Sequence, residues 1–171
     1  MQGLAIETVK LKEAAKLEIV SLMDNVVDFL SSPAREEVRG FWQWSRRRGE
    51  MPFAEHGFSM LVRVFSGENV CSILFDTGTS PEGAVENAAR MEIDLGEVSY
   101  VVLSHGHYDH FGGLKGVIKT INKKDLPIIA QENMMKRREP PIPREKSGNT
   151  RLCLKQRNYT LQNLSTTKSQ C

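Results

Sequence analysis

Three of the chain's four histidines lie with an aspartate in six consecutive positions of a 171-residue sequence. The segment reads SHGHYDHFGG from residue 104 to residue 113, and its four ligand-type side chains are those of His105, His107, Asp109 and His110. Imidazole nitrogens combined with a carboxylate suit zinc, iron or manganese. A polar turn with solvated histidines is the alternative interpretation. Four such residues in six positions favour a metal site over it.

The spacing within the cluster predicts how the side chains divide. His105 and His107 are separated by one residue, so in an extended segment they project to the same side and can hold one ion. Asp109 and His110 follow after the chain has begun to turn, so they can face a second ion nearby. Two metals about 3.5–4 Å apart can stabilise the charge that develops during a hydrolysis.

The elements on either side of the cluster must position it. Residues 97–104, EVSYVVLS, form a near-continuous apolar run of the kind found in strands that are covered on both faces. Gly112 and Gly113 open a segment with apolar residues at helical spacing that runs to residue 122. The cluster is therefore predicted to occupy the turn at the carboxyl end of a strand, where ligands bind in α/β sheets.

The rest of the chain predicts further strands and one more helix. LEIVSL at 17–22 is interpreted as a strand that continues through MDNVVDFL to residue 30, and LPIIA at 126–130 as a short strand. Residues 58–65 and 69–78 read as paired strands joined by the turn-forming SGEN. Residues 79–90 carry helix-start signals, with Thr79 or Ser80 as cap and Pro81 in the first turn. This order predicts an α/β (α+β) fold.

Charge divides the chain into two parts. Residues 1–135 carry 14 Lys and Arg against 19 Asp and Glu, a balance of −5. Residues 136–171 carry 9 against 2, a balance of +7, and their apolar residues are sparse and lack a sustained period. We interpret residues 1–135 as the folded body and residues 136–171 as a basic tail of low order that is unrelated to the fold.

Composition narrows the class of protein. No stretch approaches the roughly 20 apolar residues of a membrane helix, and the first residues lack the pattern of a secretory signal. The three cysteines are far apart and form no C-x-x-C pair, which argues against a disulfide framework or a thiolate zinc site. We therefore expect a cytoplasmic protein without a membrane partner.

HGHYDH at residues 105–110 resembles the H-x-H-x-D-H signature of the metallo-β-lactamase superfamily, and ILFDTG resembles the strand and turn that precede it. The segments AEHGFSMLV, SILFDTGTSPEGAVENAARM and VVLSHGHYDHFGGL are similar to one branch of that superfamily. The branch includes the synthase that joins a dihydropterin to a ribofuranosylaminobenzene phosphate in methanopterin-type cofactor biosynthesis. The resemblance implies an αββα sandwich and a metal-dependent hydrolase that uses a metal-activated water or hydroxide.

The resemblance also implies residue roles. His105 and His107 would ligate the first metal, while Asp109 and His110 would ligate the second. Asp109 would also be catalytic, because in relatives it orients the attacking water. The cofactor would be zinc, as one or two divalent ions, with iron or manganese as alternatives, and the substrate a small molecule of unknown identity.

Two further residues match the branch. Asp76 matches the DTG aspartate, which in relatives supports the ligand loop from behind, and such partners fix ligand geometry. Its alternative role is to bond only the backbone amides of its own turn. His56 matches EHGFS, where it would approach the substrate or be an ordinary surface or core histidine. Asp24 and Asn25, at the end of the first strand, would face the site or, as we favour, simply form a turn.

The chain departs from the family after the cluster. The family's second half supplies another histidine, a bridging carboxylate and a last histidine, but this sequence has no histidine after His110. We therefore expect an incomplete, N-terminal half of the sandwich, from a truncated or frameshifted gene, whose open sheet face would be covered by an oligomer or a partner. One alternative function is an inactive remnant that binds at most one metal. Another is a transferase like the pterin synthase.

A basic, aromatic segment raises the question of nucleic-acid binding. RGFWQWSRRRG at 39–49 combines two tryptophans with arginines, and such residues can hold single strands. The basic tail is the other segment that could bind nucleic acid. The alternative is that Phe41 and Trp44 pack on a short helix while the arginines are solvated. Because the body is acidic and lacks a sustained basic face, we expect no nucleic-acid partner.

Overall fold

The structure, a computed structural model, describes residues 13–45, 50–131 and 134. Its strands are β1 (Lys16–Met23), β2 (Ser59–Ser66), β3 (Asn69–Phe75), β4 (Val98–Leu103) and β5 (Ile128–Ala130). Its helices are α1 (Phe41–Ser45), α2 (Gly83–Arg90), α3 (Tyr108–Phe111) and α4 (Leu114–Ile121), with a 3₁₀ turn at Leu95–Glu97. The interpreted basic tail, residues 136–171, lies outside the described residues.

The five strands form one mixed sheet in the order β1-β2-β3-β4-β5. The first three strands are antiparallel neighbours, whereas β4 is parallel to both β3 and β5. Helix α2 connects β3 to β4, and α4 connects β4 to β5. The predicted α/β fold class is confirmed, and the two parallel pairings bring the carboxyl ends of β3 and β4 to the same edge.

One face of the sheet carries the core. The register aligns Leu61, Leu74, Val101 and Ile128 in a row across four strands, and all four are buried. They share one apolar cluster with residues of α2 and α4, namely Ala84, Ala88, Val117 and Ile121. Both helices therefore cover the same face.

The opposite face is also apolar but less covered. Its matching row runs through Ile19, Val62, Ile73 and Tyr100, of which Ile19 remains 64% exposed. The two-sided cover predicted for β4 is not found, because among the described residues only its inward side chains are fully buried. The apolar run of β4 thus shows that both of its faces carry apolar side chains, but the described helices cover only one face of the sheet.

Two predicted boundaries are wrong. The first strand ends at Met23 and does not continue to residue 30, because Asp28 instead accepts hydrogen bonds from the backbone amides of Leu30 and Ser31 in a turn. Helix α2 begins at Gly83, although Ser80 does accept a hydrogen bond from its amide at 3.0 Å, as a cap would. Within the part of the chain that the structure describes, no helix is long and apolar enough to span a bilayer. A cytoplasmic location stays a prediction.

Candidate metal site

The HGHYDH loop, residues 105–110, lies where β4 ends. Strand β4 runs to Leu103, and the loop then passes into the single turn of α3 and the glycines that precede α4. The end of the neighbouring parallel strand β3 places Asp76 directly beside this loop. The predicted position at the carboxyl edge of the sheet is therefore the observed one.

Asp76 is the buried centre of the arrangement. Its side chain is 1% exposed, and its backbone has a positive φ of 57°, a conformation that Asp tolerates better than most residues. Its Oδ1 accepts the backbone N–H of Ser104 at 2.8 Å, and its Oδ2 accepts the Ser104 hydroxyl at 2.6 Å. Oδ2 also lies 2.7 Å from Nδ1 of His110. These carboxylate bonds reach Ser104 and His110 rather than the amides of its own turn.

The bonds of Asp76 determine which ring nitrogens carry protons. An ionised carboxylate only accepts hydrogen bonds, so Nδ1 of His110 donates and leaves Nε2 unprotonated in the neutral ring. The Ser104 hydroxyl donates to Asp76, so its contact with Nδ1 of His105 at 2.9 Å must be one in which the imidazole N–H donates. Nε2 of His105 is then also unprotonated. One buried carboxylate thus sets the tautomer of two histidines, as the partners of metal-ligating histidines do.

The ligand-type side chains lie close together in two pairs. Nε2 of His105 is 2.9 Å from Nδ1 of His107, and Nε2 of His110 is 3.5 Å from Oδ2 of Asp109. The two pairs are adjacent, because the ring centroids of His105 and His110, one from each pair, are 4.1 Å apart. All four predicted metal-ligating residues are therefore brought together at one edge of the sheet.

Electrostatics favour the neutral form of His105. Partial burial lowers the pKa of His105 below its usual 6.5, and the neighbouring His110 and His107 lower it further. The acids Asp76 and Asp109 act in the opposite direction but do not prevail. The unprotonated nitrogen that a metal would need is therefore present down to a lower pH than in a free histidine.

Backbone bonds fix the loop against the rest of the sheet. The carbonyl of His110 accepts the amide of Thr77 at 2.8 Å, and the carbonyl of Asp109 accepts the amide of Phe58 at 3.1 Å. A Cβ placed on Gly113 would overlap the carbonyl oxygen of Thr77. The close approach of these two segments therefore requires glycine and determines where the loop lies.

His56 lies at the outer edge of the site. Its side chain is 80% exposed, and its Nε2 is 3.4 Å from Oδ2 of Asp109. Among the alternatives left open by the sequence, a core position does not apply, because the side chain lies at the surface beside Asp109. An approach to the substrate stays a prediction. Asn25 does not reach the ligand-type side chains; its Oδ1 accepts the amide of Gly57 at 3.1 Å.

Sequence reasoning missed two residues that build the site. Ser104, which connects Asp76 to His105, directly precedes the cluster, and this position at the strand end was the available signal. Glu55 accepts the amides of Thr79 and Ser80 at 2.9 and 3.1 Å and so fixes the segment that carries His56. Nothing in its local sequence indicates this role.

The donor set fits a transition metal in type. The site combines three imidazoles and a carboxylate, which are ligands that zinc, iron and manganese prefer. In two of the imidazoles, those of His105 and His110, the unprotonated nitrogen is the one turned away from Asp76. Among the described residues, no three His, Cys, Asp or Glu side chains already have the arrangement of a formed metal site. The donors instead face each other in the two pairs described above, so the rings would have to rotate to enclose an ion.

A family comparison identifies the class of protein. The model of the metallo-beta-lactamase superfamily matches residues 53–160, which include β2 to β5 and the HGHYDH loop. The chain belongs to this superfamily. The match also runs past residue 135 into the segment interpreted as a tail.

Two curated relatives come from Methanocaldococcus jannaschii. One is a 7,8-dihydropterin-6-methyl-4-(beta-D-ribofuranosyl)-aminobenzene-5'-phosphate synthase, 42% identical over 86 residues, which are 50% of this chain and 29% of the relative. The other is an uncharacterised protein, 46% identical over 83 residues, which are 47% of this chain and 29% of the relative. The matched part of the chain thus spans 29% of the length of each of these relatives.

Solved structures also match. A subclass B3 metallo-beta-lactamase from a soil metagenome library is 26% identical, with a TM-score of 0.35, over 50% of this chain and 34% of that one. A flavoprotein from Thermotoga maritima is 22% identical, with a TM-score of 0.36, over 43% of this chain and 18% of that one.

Proposed function

We propose that this protein is a metal-dependent hydrolase in which the HGHYDH loop holds one or two divalent cations. The observation that carries the proposal is the joint placement of His105, His107, Asp109 and His110 at the carboxyl edge of the sheet, with Asp76 buried behind them. Such convergence of imidazoles and a carboxylate is costly to build for structure alone, because it concentrates polar groups that could each be solvated separately.

Each residue has a distinct part in this proposal. His105 and His107 would hold the first cation, and Asp109 and His110 the second, while Asp76 keeps two of the rings in the correct tautomer. When bound, a divalent cation would lower the pKa of a water and polarise the bond to be cleaved. Asp109, whose side chain is about one quarter exposed, would orient that water through its carboxylate and accept a proton from it.

Metal content and hydrolysis of simple substrates test the proposal. The full chain, supplied with zinc, manganese or iron, should retain near-stoichiometric metal and hydrolyse bis(4-nitrophenyl) phosphate or a 4-nitrophenyl ester. Asp109→Asn should abolish turnover. The control Asp125→Asn, which changes an exposed acid between α4 and β5, should not. Failure of the folded chain to bind any of these metals would refute the proposal. Retention of one metal without turnover would favour the inactive alternative.

A synthase-like transferase is the second candidate function. It is supported by the 42% identity to the dihydropterin–ribofuranosylaminobenzene phosphate synthase. Because the matched segment spans only 29% of that relative, its substrates are carried to this chain as a proposal. Incubation of the metal-loaded chain with a dihydropterin pyrophosphate and the aminobenzene ribofuranosyl phosphate should yield the coupled pterin by mass spectrometry. Absence of product, together with turnover of the nitrophenyl substrates, would leave the hydrolase.

The open face of the sheet supports a proposal about partners. We propose that an oligomer or partner covers the row of Ile19, Val62 and Ile73, because burial of such an apolar row stabilises association. Ile19→Lys should then shift a sedimenting dimer or complex to the monomer. A monomer at all concentrations would contradict the proposal.

The division of the chain at residue 135 is likewise a proposal. It is supported by the change from a balance of −5 to one of +7 at that point. Limited trypsin digestion should cut first after residue 135 and leave a resistant fragment. Equal resistance of residues 136–160, which the family model also matches, would overturn the division.

A further inference from the structure

The carboxylate of Glu55 lies where three segments of the site meet. It comes shortly before β2, and it faces the turn of residues 77–80, TGTS, which connects β3 and Asp76 to α2. We propose that Glu55 is a positioning residue that determines where Asp109 lies, by fixing the TGTS turn against the HGHYDH loop. The inference rests on the proposed function, in which Asp109 orients the attacking water.

Glu55 accepts three hydrogen bonds from the TGTS turn. Its Oε1 accepts the backbone amides of Thr79 and Ser80 at 2.9 and 3.1 Å, and its Oε2 accepts the hydroxyl of Ser80 at 2.6 Å. The side chain is partly buried, and a Cβ on Gly83 would lie only 2.6 Å from its Oε1. Hydrogen bonds to an ionised acceptor are among the stronger ones. Glu55 therefore holds the TGTS turn firmly at the start of α2.

Phe58 connects Glu55 and the TGTS turn to Asp109. The amide of Phe58 donates to the carbonyl of Asp109 at 3.1 Å, and the carbonyl of Phe58 accepts the amide of Gly78 at 2.9 Å. Phe58, three residues after Glu55, is thus bonded both to the turn that Glu55 holds and to the HGHYDH loop. A displacement of the turn would therefore move the backbone of Asp109.

Close packing at Gly57 leaves little freedom in this connection. A Cβ on Gly57 would lie 2.9 Å from the amide nitrogen of Thr79 and 3.1 Å from the carbonyl oxygen of Asp109. The TGTS turn and the HGHYDH loop thus approach each other across one glycine, and the amide of Thr77 donates to the carbonyl of His110 at 2.8 Å. Because closely packed segments transmit strain, a shift of the turn is passed on to the loop.

The reach of Glu55 distinguishes it from an ordinary capping residue. Asp94 is such a cap, since its side chain accepts the amide of Gly96 at 2.8 Å, two residues further on in its own 3₁₀ turn. Glu55 instead bonds amides that lie 24 and 25 residues further along the chain. Loss of Asp94 should therefore lower stability alone, whereas loss of Glu55 should also change the geometry around Asp109.

NMR spectra of the metal-free full chain test the inference. The amide resonances of Phe58 and Thr77 are compared in the wild type, Glu55→Ala, Glu55→Gln and the control Asp94→Ala. We expect Glu55→Ala to shift both resonances and to speed hydrogen exchange of the Phe58 amide, whereas Asp94→Ala should leave both unchanged. Glu55→Gln should resemble the wild type, because its amide oxygen accepts the same two N–H groups and its NH₂ group can donate to the Ser80 hydroxyl.

Zinc affinity gives a second measurement. Zinc alone is titrated into the same four proteins in competition with a fluorescent chelator. We expect the affinity to fall by about tenfold in Glu55→Ala, as when a residue that supports a metal ligand is lost. Glu55→Gln and Asp94→Ala should bind zinc like the wild type. If Glu55→Ala does not fold, Glu55→Asp, which is shorter by one methylene, takes its place in both measurements.

The outcomes separate this inference from the proposed function. A Glu55→Ala chain that is less stable in urea but keeps the wild-type Phe58 and Thr77 resonances and zinc affinity would overturn the inference, because Glu55 would then be structural only. Equal changes in Glu55→Gln and Glu55→Ala would also overturn it, since they would assign the effect to charge. A wild type that binds no zinc would refute the proposed function, while the metal-free resonances would still decide whether Glu55 positions the loop.

Discussion

The two sides of the HGHYDH loop differ in what holds their side chains in place. On the buried side, Asp76 is enclosed and accepts bonds from Ser104 and His110. On the open side, the side chains of His107 and His56 are exposed and contact mainly other ligand-type groups. The chain therefore separates the residues that fix the geometry from those that would meet a cation and substrate.

This difference predicts how mutations should divide. A buried polar group that loses its partner costs free energy, whereas an exposed imidazole is readily replaced. Changes on the buried side should lower the stability of the whole chain, and changes on the open side should lower metal binding while leaving the fold intact. The following changes are ordered from the largest expected loss of stability to the smallest.

Asp76→Ala should have the largest effect. It removes the acceptor for the Ser104 amide, the Ser104 hydroxyl and the His110 ring, and leaves these groups unpaired. We expect the free energy of unfolding to fall by about 3 kcal/mol in urea titrations followed by circular dichroism, because several hydrogen bonds to one charged acceptor are lost. Asp125→Ala, at an exposed acid, is the control. A loss below about 1 kcal/mol would show that the buried side is not what stabilises the loop.

Gly116→Ala should come next. A Cβ at this position would overlap the carbonyl oxygen of Pro81, where α4 packs against the turn before α2. We expect a loss of about 1–3 kcal/mol, as for an overpacked core, although alanine is the better helix former. Lys115→Ala, on the exposed side of the same helix, should change stability by less than about 0.5 kcal/mol. Equal effects of the two variants would contradict the packing.

Ser104→Ala should affect both sides of the comparison. Its hydroxyl donates to Asp76 and accepts from His105, so its removal costs about 1 kcal/mol and frees the His105 ring. Metal affinity should fall by about tenfold, measured with the same zinc competition. Ser104→Thr, which retains the hydroxyl, should bind zinc like the wild type. A loss in the threonine variant equal to that in the alanine variant would show that the hydroxyl is irrelevant.

The pH dependence should sharpen the comparison through His105. Because its pKa is lowered in the folded chain, the unfolded chain takes up this proton first as the pH falls below about 6.5. The folded state of the metal-free chain therefore loses stability between pH 6.5 and the lower folded pKa, and this contribution is constant above that window. Proton NMR titration should give a midpoint for His105 below 6.5, with His105→Asn used for assignment. A midpoint above 6.5 would reverse the sign.

The sequence was sufficient for the centre of the site and for much of the sheet. The cluster is local, so its four side chains and its place after an apolar strand follow from consecutive residues. The hairpin of β2 and β3 was likewise predicted from its turn, and the structure pairs Ser66 with Asn69 across it. Local patterns therefore predict local structure here.

What the sequence did not predict depends on contacts between distant segments. Glu55 meets the turn at Thr79 and Ser80 only after folding, and Gly116 is required only because Pro81 packs against it. The end of β1 at Met23 was missed because the apolar residues Val26 and Leu30 continue the pattern, yet they remain 73% and 91% exposed. An apolar pattern gives no information about what covers it.

Metal content of the folded chain tests the central claim most directly. Elemental analysis of the purified wild type and of His107→Ala, both supplied with zinc and then dialysed, should find close to one or two zinc ions per wild-type chain. The variant should bind clearly less zinc with an unchanged unfolding midpoint, because His107 is exposed. Equal zinc in both proteins, or none in the folded wild type, would contradict the account.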